Sequence, residues 1–174
     1  MGSAKGLVIV NTGNGKGKTT AALGMMFRAW GNNMKVVMLQ FVKSPESESG
    51  EHIAARRIGI EIIPGGAGFV FNPQDTGRHR SLAIEQWQEA QKRINSGKYD
   101  MVILDELTYP LNFSWIPVDE VIDVLRHRPV DLHVIITGRD APQALIDFAD
   151  TVVDVSDIKH HFKKGIKAQP GIEL

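Results

Sequence analysis

A glycine-rich segment that stands between an apolar run and an amphipathic run constrains the fold of this chain more than any other feature. Residues 13–20 read GNGKGKTT, directly after the apolar run 7–10 and at the start of a stretch with helical spacing. Glycines let backbone N–H groups turn toward phosphate oxygens, and a helix N-terminus adds a favourable dipole. Lys18 can then reach a phosphate, and the Thr19 hydroxyl can bind Mg²⁺. The segment therefore predicts a phosphate-binding loop.

The spacing of this loop departs from the common pattern. The first glycine usually stands five residues before the glycine that precedes the lysine, which here is Gly17. That position is Thr12, and the nearest glycine is Gly13. A glycine-rich turn with an incidental Gly-Lys-Thr sequence is the alternative interpretation. The coincidence of the glycines, Lys18 and Thr19 between a strand and a helix favours nucleotide binding.

Short apolar runs alternate with longer amphipathic stretches along the chain. The apolar runs, predicted to be strands, lie at residues 7–10, 36–39, 60–63, 101–104, 133–136 and 152–155. The amphipathic stretches, predicted to be helices, lie at residues 18–29, 51–58, 79–95, 118–126 and 142–149. Unbroken apolar strands are typical of parallel sheets that helices cover on both faces. The pattern predicts an α/β fold of the P-loop NTPase-like (RecA-like) kind, with a doubly wound, mainly parallel six-stranded sheet. We expect one domain over residues 6–174, with residues 1–5 as a tail that is in part vector-derived.

Composition argues against several other classes of protein. Twenty basic residues balance twenty acidic ones, so the chain has no net positive charge that would attract it to nucleic acid or to anionic lipid. No apolar run approaches the ~20 residues that span a bilayer. The sequence has no cysteine, which removes disulfides, thiolate metal sites and cysteine nucleophiles. We therefore expect a cytoplasmic protein without a nucleic-acid or membrane partner.

Charged residues follow two of the predicted strands. The run 101–104 ends in Asp105 and Glu106, and a carboxylate at a strand end beside a phosphate loop is a typical Mg²⁺ ligand. Either carboxylate is a candidate for facing the metal. Arg139 follows the run 133–136, and there it is predicted either to contact phosphate or substrate, or to lie solvated in the turn before the next helix.

Several blocks of this sequence occur in the order typical of one known family. Besides the loop at 13–20, they are QFVK at 40–43, GF at 68–69, LDELTY at 104–109, TGR at 137–139 and GIKAQ at 165–169. On these blocks the chain resembles the ATP:corrinoid adenosyltransferases of cobalamin biosynthesis and salvage over residues 6–173. The shortened phosphate loop is itself typical of that family.

The resemblance implies a transfer reaction. In the family, Co(I) of a corrinoid, such as cob(I)alamin or cob(I)yrinic acid a,c-diamide, attacks the 5′-carbon of ATP, and inorganic triphosphate leaves. The resemblance implies catalytic roles for Lys18, Thr19 and Glu106. It also implies Mg²⁺ ligands at Thr19 and Glu106, with Asp105 as the further candidate from the strand pattern. The residues expected to line the triphosphate are Asn14, Gly15, Lys16, Gly17, Lys18, Thr19 and Thr20.

An aromatic pair is expected at the corrinoid. In the family, two aromatic side chains after the third strand displace the lower axial ligand of cobalt and leave four-coordinate Co(II), which is easier to reduce. The matching residues are Phe69 and Phe71, although relatives often have tryptophan at the second position. Ordinary core packing is the alternative role for both. The resemblance further implies a homodimer and an electron donor such as a flavodoxin-type reductase.

Two other functions compete with adenosyl transfer. One is a P-loop NTPase that hydrolyses ATP to drive a conformational or partner switch. The other is a non-catalytic sensor of ATP or corrinoid with the same fold. Transfer predicts triphosphate as product only when reduced corrinoid is present, hydrolysis predicts phosphate without corrinoid, and a sensor predicts binding without turnover.

Overall fold

A computed structural model describes residues 5–69 and 76–172, and the strands in these ranges form a single sheet. The strands are β1 (Val8–Thr12), β2 (Val36–Gln40), β3 (Glu61–Pro64), β4 (Met101–Asp105), β5 (His133–Thr137) and β6 (Thr151–Asp154). The helices are α1 (Lys18–Gly31), α2 (Gly50–Ile58), α3 (Thr76–Asn95), α4 (Thr108–Asn112), α5 (Val118–Arg126) and α6 (Gln143–Phe148), and a 3₁₀ turn follows at His161–Lys164. Within the described ranges, no helix combines the length and the apolar character that crossing a membrane requires.

The order of the strands places the phosphate loop at the carboxyl end of β1, the last strand but one in the sheet, with only β5 between β1 and β4. The order is β3-β2-β4-β5-β1-β6, and every neighbouring pair is parallel. The carboxyl ends of all these strands therefore meet at the same edge, where α/β proteins bind their ligands. The loop after β1 and the acidic end of β4 are both at that edge. The predicted P-loop NTPase-like fold with a parallel six-stranded sheet is confirmed.

Two hydrophobic cores lie on opposite faces of the sheet. Neighbouring residues of a strand point to opposite faces, so the apolar runs of β1 to β5 supply both cores. In β4, Ile103 belongs to one core and Leu104 to the other, and both are fully buried. Burial of each such side chain contributes about 1.5–3 kcal/mol. One core includes α3, α5 and α6, and the other includes α1 and α2, so helices cover both faces as predicted.

The strand β6 differs from the others in its exposure. Among the described strands it pairs only with β1, at the edge of the sheet, and all four of its residues are exposed. Val152 and Val153 retain 38% and 44% of their accessible surface. The strand was predicted, but its apolar composition indicated burial on both faces. That expectation was wrong because composition does not reveal which strand ends the sheet.

The short helix α4 was not predicted. It comprises five residues and follows Glu106 after a single intervening leucine. A helix of little more than one turn is too short to show the apolar period from which helices are recognised in a sequence. Its position matters because it places aromatic side chains beside the acidic end of β4.

Candidate active site

Contact with a segment that is distant in the sequence explains why the phosphate loop needs glycine. Thr12 is still part of β1, and its carbonyl accepts a hydrogen bond from the Val155 N–H at 2.9 Å. The loop then turns against the exit of β6, where the Gly15 N–H donates to the Val155 carbonyl at 2.6 Å. Gly13 has a φ of +95°, and a Cβ at this position would overlap Asp154. The first glycine therefore stands at 13 rather than 12 because only there does the chain leave the strand.

Replacing Gly13 by alanine is expected to lower the free energy of unfolding by about 1–3 kcal/mol, because the left-handed backbone and the contact with Asp154 both disfavour a Cβ. Gly24 is the matched control. It lies inside α1 with open space where a Cβ would be, so Gly24→Ala should stabilise the protein by about 0.5–1 kcal/mol. Urea denaturation measures both changes. Equal stability of Gly13→Ala and wild type would show that the contact between the phosphate loop and the end of β6 does not contribute to the free energy of unfolding.

Lys18 lies under the loop rather than in solvent. Its Nζ donates to the carbonyl oxygens of Gly13 at 2.8 Å and Gly15 at 2.7 Å, and the residue is 6% exposed. Burial lowers the pKa of this ammonium, and the nearby charge of Glu106 opposes that shift. The ammonium therefore ties the loop together at the point where its backbone curves, with its charge next to the cleft that the loop lines.

Asp105 is held by three donors from three different elements. The hydroxyls of Thr19 and Thr137 each donate to its Oδ1 at 2.8 Å. The Gln40 amide donates to its Oδ2 at 3.3 Å. Burial raises the pKa of this carboxyl, and the three hydrogen bonds oppose the rise. Asp105 is 3% exposed, so it acts on the cleft through the Thr19 hydroxyl that it orients.

Glu106 faces the cleft itself. Its backbone has a φ of +59°, a left-handed conformation that is uncommon outside glycine, and its N–H donates to the Thr137 hydroxyl at 3.0 Å. Its side chain lines the cleft together with Lys18 and Arg139. Burial, and then the charge of Asp105, raise the pKa of the Glu106 carboxyl. The two acidic residues therefore differ: the Asp105 carboxylate accepts three hydrogen bonds from protein donors, and Glu106 lines the cleft.

The cleft is open and has a volume of about 1400 Å³. It brings together most of the residues that the sequence singled out, namely Gly15, Lys16, Gly17, Lys18, Thr19, Thr20, Phe69, Glu106 and Arg139. Asn14 is exposed in the same loop but does not line the cleft. Phe71 lies outside the described residues. Lys43 and Tyr109, which belong to the sequence blocks QFVK and LDELTY, also line the cleft, and so do Asn112 and Phe113, which the sequence did not single out.

Aromatic side chains form one wall of this cleft. Phe69, which is 51% exposed, meets Tyr109 edge to face with ring centroids 5.6 Å apart. Tyr109 contacts Phe113 at 5.0 Å, and Phe113 stacks on the buried Trp115 at 4.7 Å. We call Phe69, Tyr109 and Phe113, which all line the cleft, the aromatic wall. Its outer members expose large apolar faces to a cleft that is polar at the phosphate loop, so the cleft suits a ligand with one anionic end and one flat apolar end.

The oxygen donors at the acidic end suit a hard cation. Within residues 5–69 and 76–172, no three histidine, aspartate or glutamate side chains gather into a cluster that holds a metal by itself. The Thr19 hydroxyl and the Glu106 carboxylate both line the cleft next to the phosphate loop. One hydroxyl and one carboxylate fit Mg²⁺, which usually completes its shell with water and substrate phosphates.

The phosphate loop at the carboxyl edge of a parallel sheet, with an acidic strand end beside it, defines a P-loop nucleotide-binding protein. The fold is similar to that in the crystal structure of the flagellar accessory protein FlaH from Methanocaldococcus jannaschii. The TM-score is 0.62 at 11% identity, over 86% of this chain and 71% of that one. The sequence model of the family described as ATP:corrinoid adenosyltransferase BtuR/CobO/CobP matches residues 4–174. The chain belongs to this family, which confirms the resemblance inferred from its sequence blocks.

Curated relatives named corrinoid adenosyltransferase match nearly the whole chain. The protein from Escherichia coli K12 is 40% identical over 97% of this chain and 86% of its own length. The one from Sinorhizobium is 39% identical over 98% of this chain and 81% of its own. The one from Pseudomonas aeruginosa is 40% identical over 98% and 84%, respectively.

Proposed function

We propose that this protein transfers the 5′-deoxyadenosyl group of ATP to Co(I) of a corrinoid. Co(I) supplies the electron pair of the new Co–C bond, and the C5′–O bond breaks with its pair passing to inorganic triphosphate. Membership of the adenosyltransferase family supports this enzyme class and favours neither ATP hydrolysis nor a sensor role. The structural observation that carries the proposal is the single cleft in which the phosphate loop and the aromatic wall both lie.

The loop residues have a role suited to this leaving group. The whole triphosphate departs, so negative charge grows along its length while the bond to C5′ breaks. We assign the neutralisation of that charge to the Lys18 ammonium and to the loop N–H groups other than that of Gly15, which donates to Val155. Preorganised charges and dipoles of this kind usually contribute most to catalysis. Arg139 lines the same cleft and adds a further positive charge.

We assign Mg²⁺ to the Thr19 hydroxyl and the Glu106 carboxylate. Bound there, Mg²⁺ would neutralise part of the triphosphate charge. Asp105 orients the Thr19 hydroxyl by accepting its hydrogen bond at 2.8 Å, which turns the oxygen lone pairs toward the cleft. This division of roles explains why one carboxylate is buried under protein donors while its neighbour lines the cleft.

We assign the corrinoid to the aromatic wall, with Phe69 against the lower face of the ring. A phenyl ring there would exclude the oxygen or nitrogen ligand that stabilises five-coordinate Co(II). Phe71 is assigned the same role by family resemblance alone. The resemblance also assigns a homodimer, a flavodoxin-type reductant and a cytoplasmic location. Light scattering on the purified protein tests the first of these.

Anaerobic turnover tests the proposed function. The protein is mixed with MgATP and chemically reduced cob(I)alamin, and the corrinoid spectrum is followed together with the phosphate products. Transfer requires a light-sensitive alkyl-cobalt species and one triphosphate for each Co–C bond. Conversion of ATP to ADP and phosphate without alkyl-cobalt would instead establish a hydrolase, and ATP binding without any turnover would establish a sensor.

Replacing Phe69 by alanine is expected to affect the reduction step rather than the transfer step. With Co(II) corrinoid and a reduced flavin donor, the variant should be at least about tenfold slower, which is ~1.4 kcal/mol, because a water or side chain can reach the lower face of cobalt. With chemically prepared Co(I), the variant should stay within about threefold of wild type. Phe27→Ala is the control, since Phe27 is 62% exposed on α1 and does not line the cleft. An equal loss of rate with Co(II) and with Co(I) corrinoid would mean that Phe69 contributes to corrinoid binding and not to the reduction step.

A further inference from the structure

A buried hydrogen-bond relay connects Asp105 to the first turn of α2. The register of β2 and β4 places Gln40 directly opposite Asp105, so the two side chains share one face of the sheet. Gln40 is completely buried, and its amide nitrogen donates to Asp105 Oδ2 at 3.3 Å. Its amide oxygen contacts His52 Nε2 at 2.7 Å. His52 is 8% exposed, so all three groups are shielded from water.

The contacts determine the direction of every hydrogen bond in this relay. The Ser49 N–H lies 3.1 Å from His52 Nδ1, and because a backbone N–H can only donate, Nδ1 carries no proton. The neutral imidazole therefore has its proton on Nε2, which donates to the Gln40 oxygen. The Gln40 nitrogen is then the donor to Asp105. Burial lowers the pKa of His52 and keeps this neutral form.

The far end of the relay reaches the wall of the cleft. The Ser49 hydroxyl, 3.0 Å from His52 Nδ1, accepts a hydrogen bond from Lys43 Nζ at 3.0 Å. Lys43 also forms an ion pair with Glu51, and both residues line the cleft. The relay therefore begins at the ion pair of Lys43 and Glu51 on one side of the cleft. It ends at Asp105, the carboxylate that orients the Thr19 hydroxyl on the other side.

We propose that Gln40 and His52 are positioning residues that set the rotation of the Asp105 carboxylate and, through Thr19, the cation site, an inference that rests on the proposed MgATP site. The terminal torsion of an aspartate is broad, so a carboxylate held at one oxygen only can turn. Holding Oδ2 through Gln40 keeps Oδ1 aimed at Thr19, and the Thr19 lone pairs then face the cleft. The relay serves binding of the nucleotide with its cation rather than binding of the nucleotide alone.

Two substitutions of His52 separate this role from a purely structural one. The amide nitrogen of glutamine reaches about as far as imidazole Nε2, so His52→Gln can keep the donor to Gln40 while losing the acceptor for Ser49. The amide oxygen of asparagine lies near the place of Nδ1, so His52→Asn can keep the acceptor for the Ser49 N–H, which caps α2, while losing the donor to Gln40. If His52 mainly caps α2, the His52→Asn variant should behave more like wild type. If His52 positions Asp105, the His52→Gln variant should behave more like wild type.

Calorimetric titration of wild type and both variants with ATP, in Mg²⁺ and separately in EDTA, tests the proposal. We expect His52→Asn to weaken binding by about tenfold in Mg²⁺ and by less than twofold in EDTA, while His52→Gln stays within about threefold of wild type in both. Thermal melts in EDTA confirm that the variants are folded. Gln40→Leu, which removes the middle of the relay, should reproduce the loss seen in Mg²⁺.

Two results would overturn the proposal. Equal weakening by His52→Asn with and without Mg²⁺ would show that the relay only supports the fold. A larger loss for His52→Gln than for His52→Asn would show that the cap on α2 is what matters. The results that would contradict the proposed function are different from these two. Wild type that binds MgATP but forms no alkyl-cobalt contradicts the transferase and leaves the relay intact, whereas wild type that is indifferent to Mg²⁺ contradicts the cation site and the relay together.

Discussion

Replacing Lys18 by alanine is expected to lower kcat/KM for adenosyl transfer by about 10²–10³-fold or more, a loss typical for removal of a preorganised charge that acts in the transition state. Two physical effects combine. The positive charge next to the departing triphosphate is lost, and so are the two hydrogen bonds that tie the loop at the carbonyls of Gly13 and Gly15. Arginine should not rescue the variant, because a planar guanidinium cannot replace a compact ammonium under a tight loop.

The measurement is anaerobic formation of alkyl-cobalt from chemically reduced corrinoid, with calorimetric binding of MgATP beside it. Lys98→Ala is the matched control, because it removes the same charge from an exposed residue in the turn before β4. This control should behave as wild type. A Lys18→Ala variant that retains more than about a tenth of the wild-type rate would show that the loop amides and Arg139 hold the triphosphate without the ammonium.

Replacing Glu106 by glutamine is expected to lower kcat by about 10²-fold while making the protein more stable near neutral pH. The activity falls because a neutral amide is a poorer ligand than a carboxylate for the Mg²⁺ that we assign to Glu106. The stability rises because burial and the charge of Asp105 raise the pKa of Glu106 above its ordinary value of 4.5, so ionising this group in the folded protein is unfavourable.

The sign of the pH dependence follows from linkage. A raised carboxyl pKa means that the folded state binds the proton more tightly, so wild-type stability falls as the pH rises from 4.5 through the folded pKa and then levels off. Glu106→Gln lacks that loss. Its advantage in urea denaturation, measured in EDTA, should therefore be present at pH 7 and should vanish below about pH 4.5.

Glu85→Gln is the control for this experiment, since Glu85 is exposed on α3 and removing its charge should change neither rate nor stability. If Glu106→Gln kept full activity at saturating Mg²⁺, the cation would have to be assigned to Asp105 instead. If its stability followed that of wild type at every pH, the carboxyl would be well solvated in the folded protein.

Much of the fold was predictable because its signals are local in the chain. A strand buried on both faces is an unbroken apolar run, and a phosphate loop is a few consecutive residues between a strand and a helix. These features predicted six strands, the covering helices and the loop residues that line the cleft. The helix α4 was not predicted because a helix of little more than one turn shows no hydrophobic period, although the block LDELTY contains its Tyr109.

The sequence by itself determined the strand–loop–helix order, the parallel sheet and the chemistry of the phosphate loop, because each depends on residues that are neighbours in the chain. Only the tertiary structure decided which strand lies exposed at the edge, why glycine is needed at 13, and which carboxylate faces the cleft. The relay is the clearest case: Gln40 and Asp105 are 65 residues apart and meet only through the register of two strands. Contacts of this kind arise from packing among distant segments, and no local pattern encodes them.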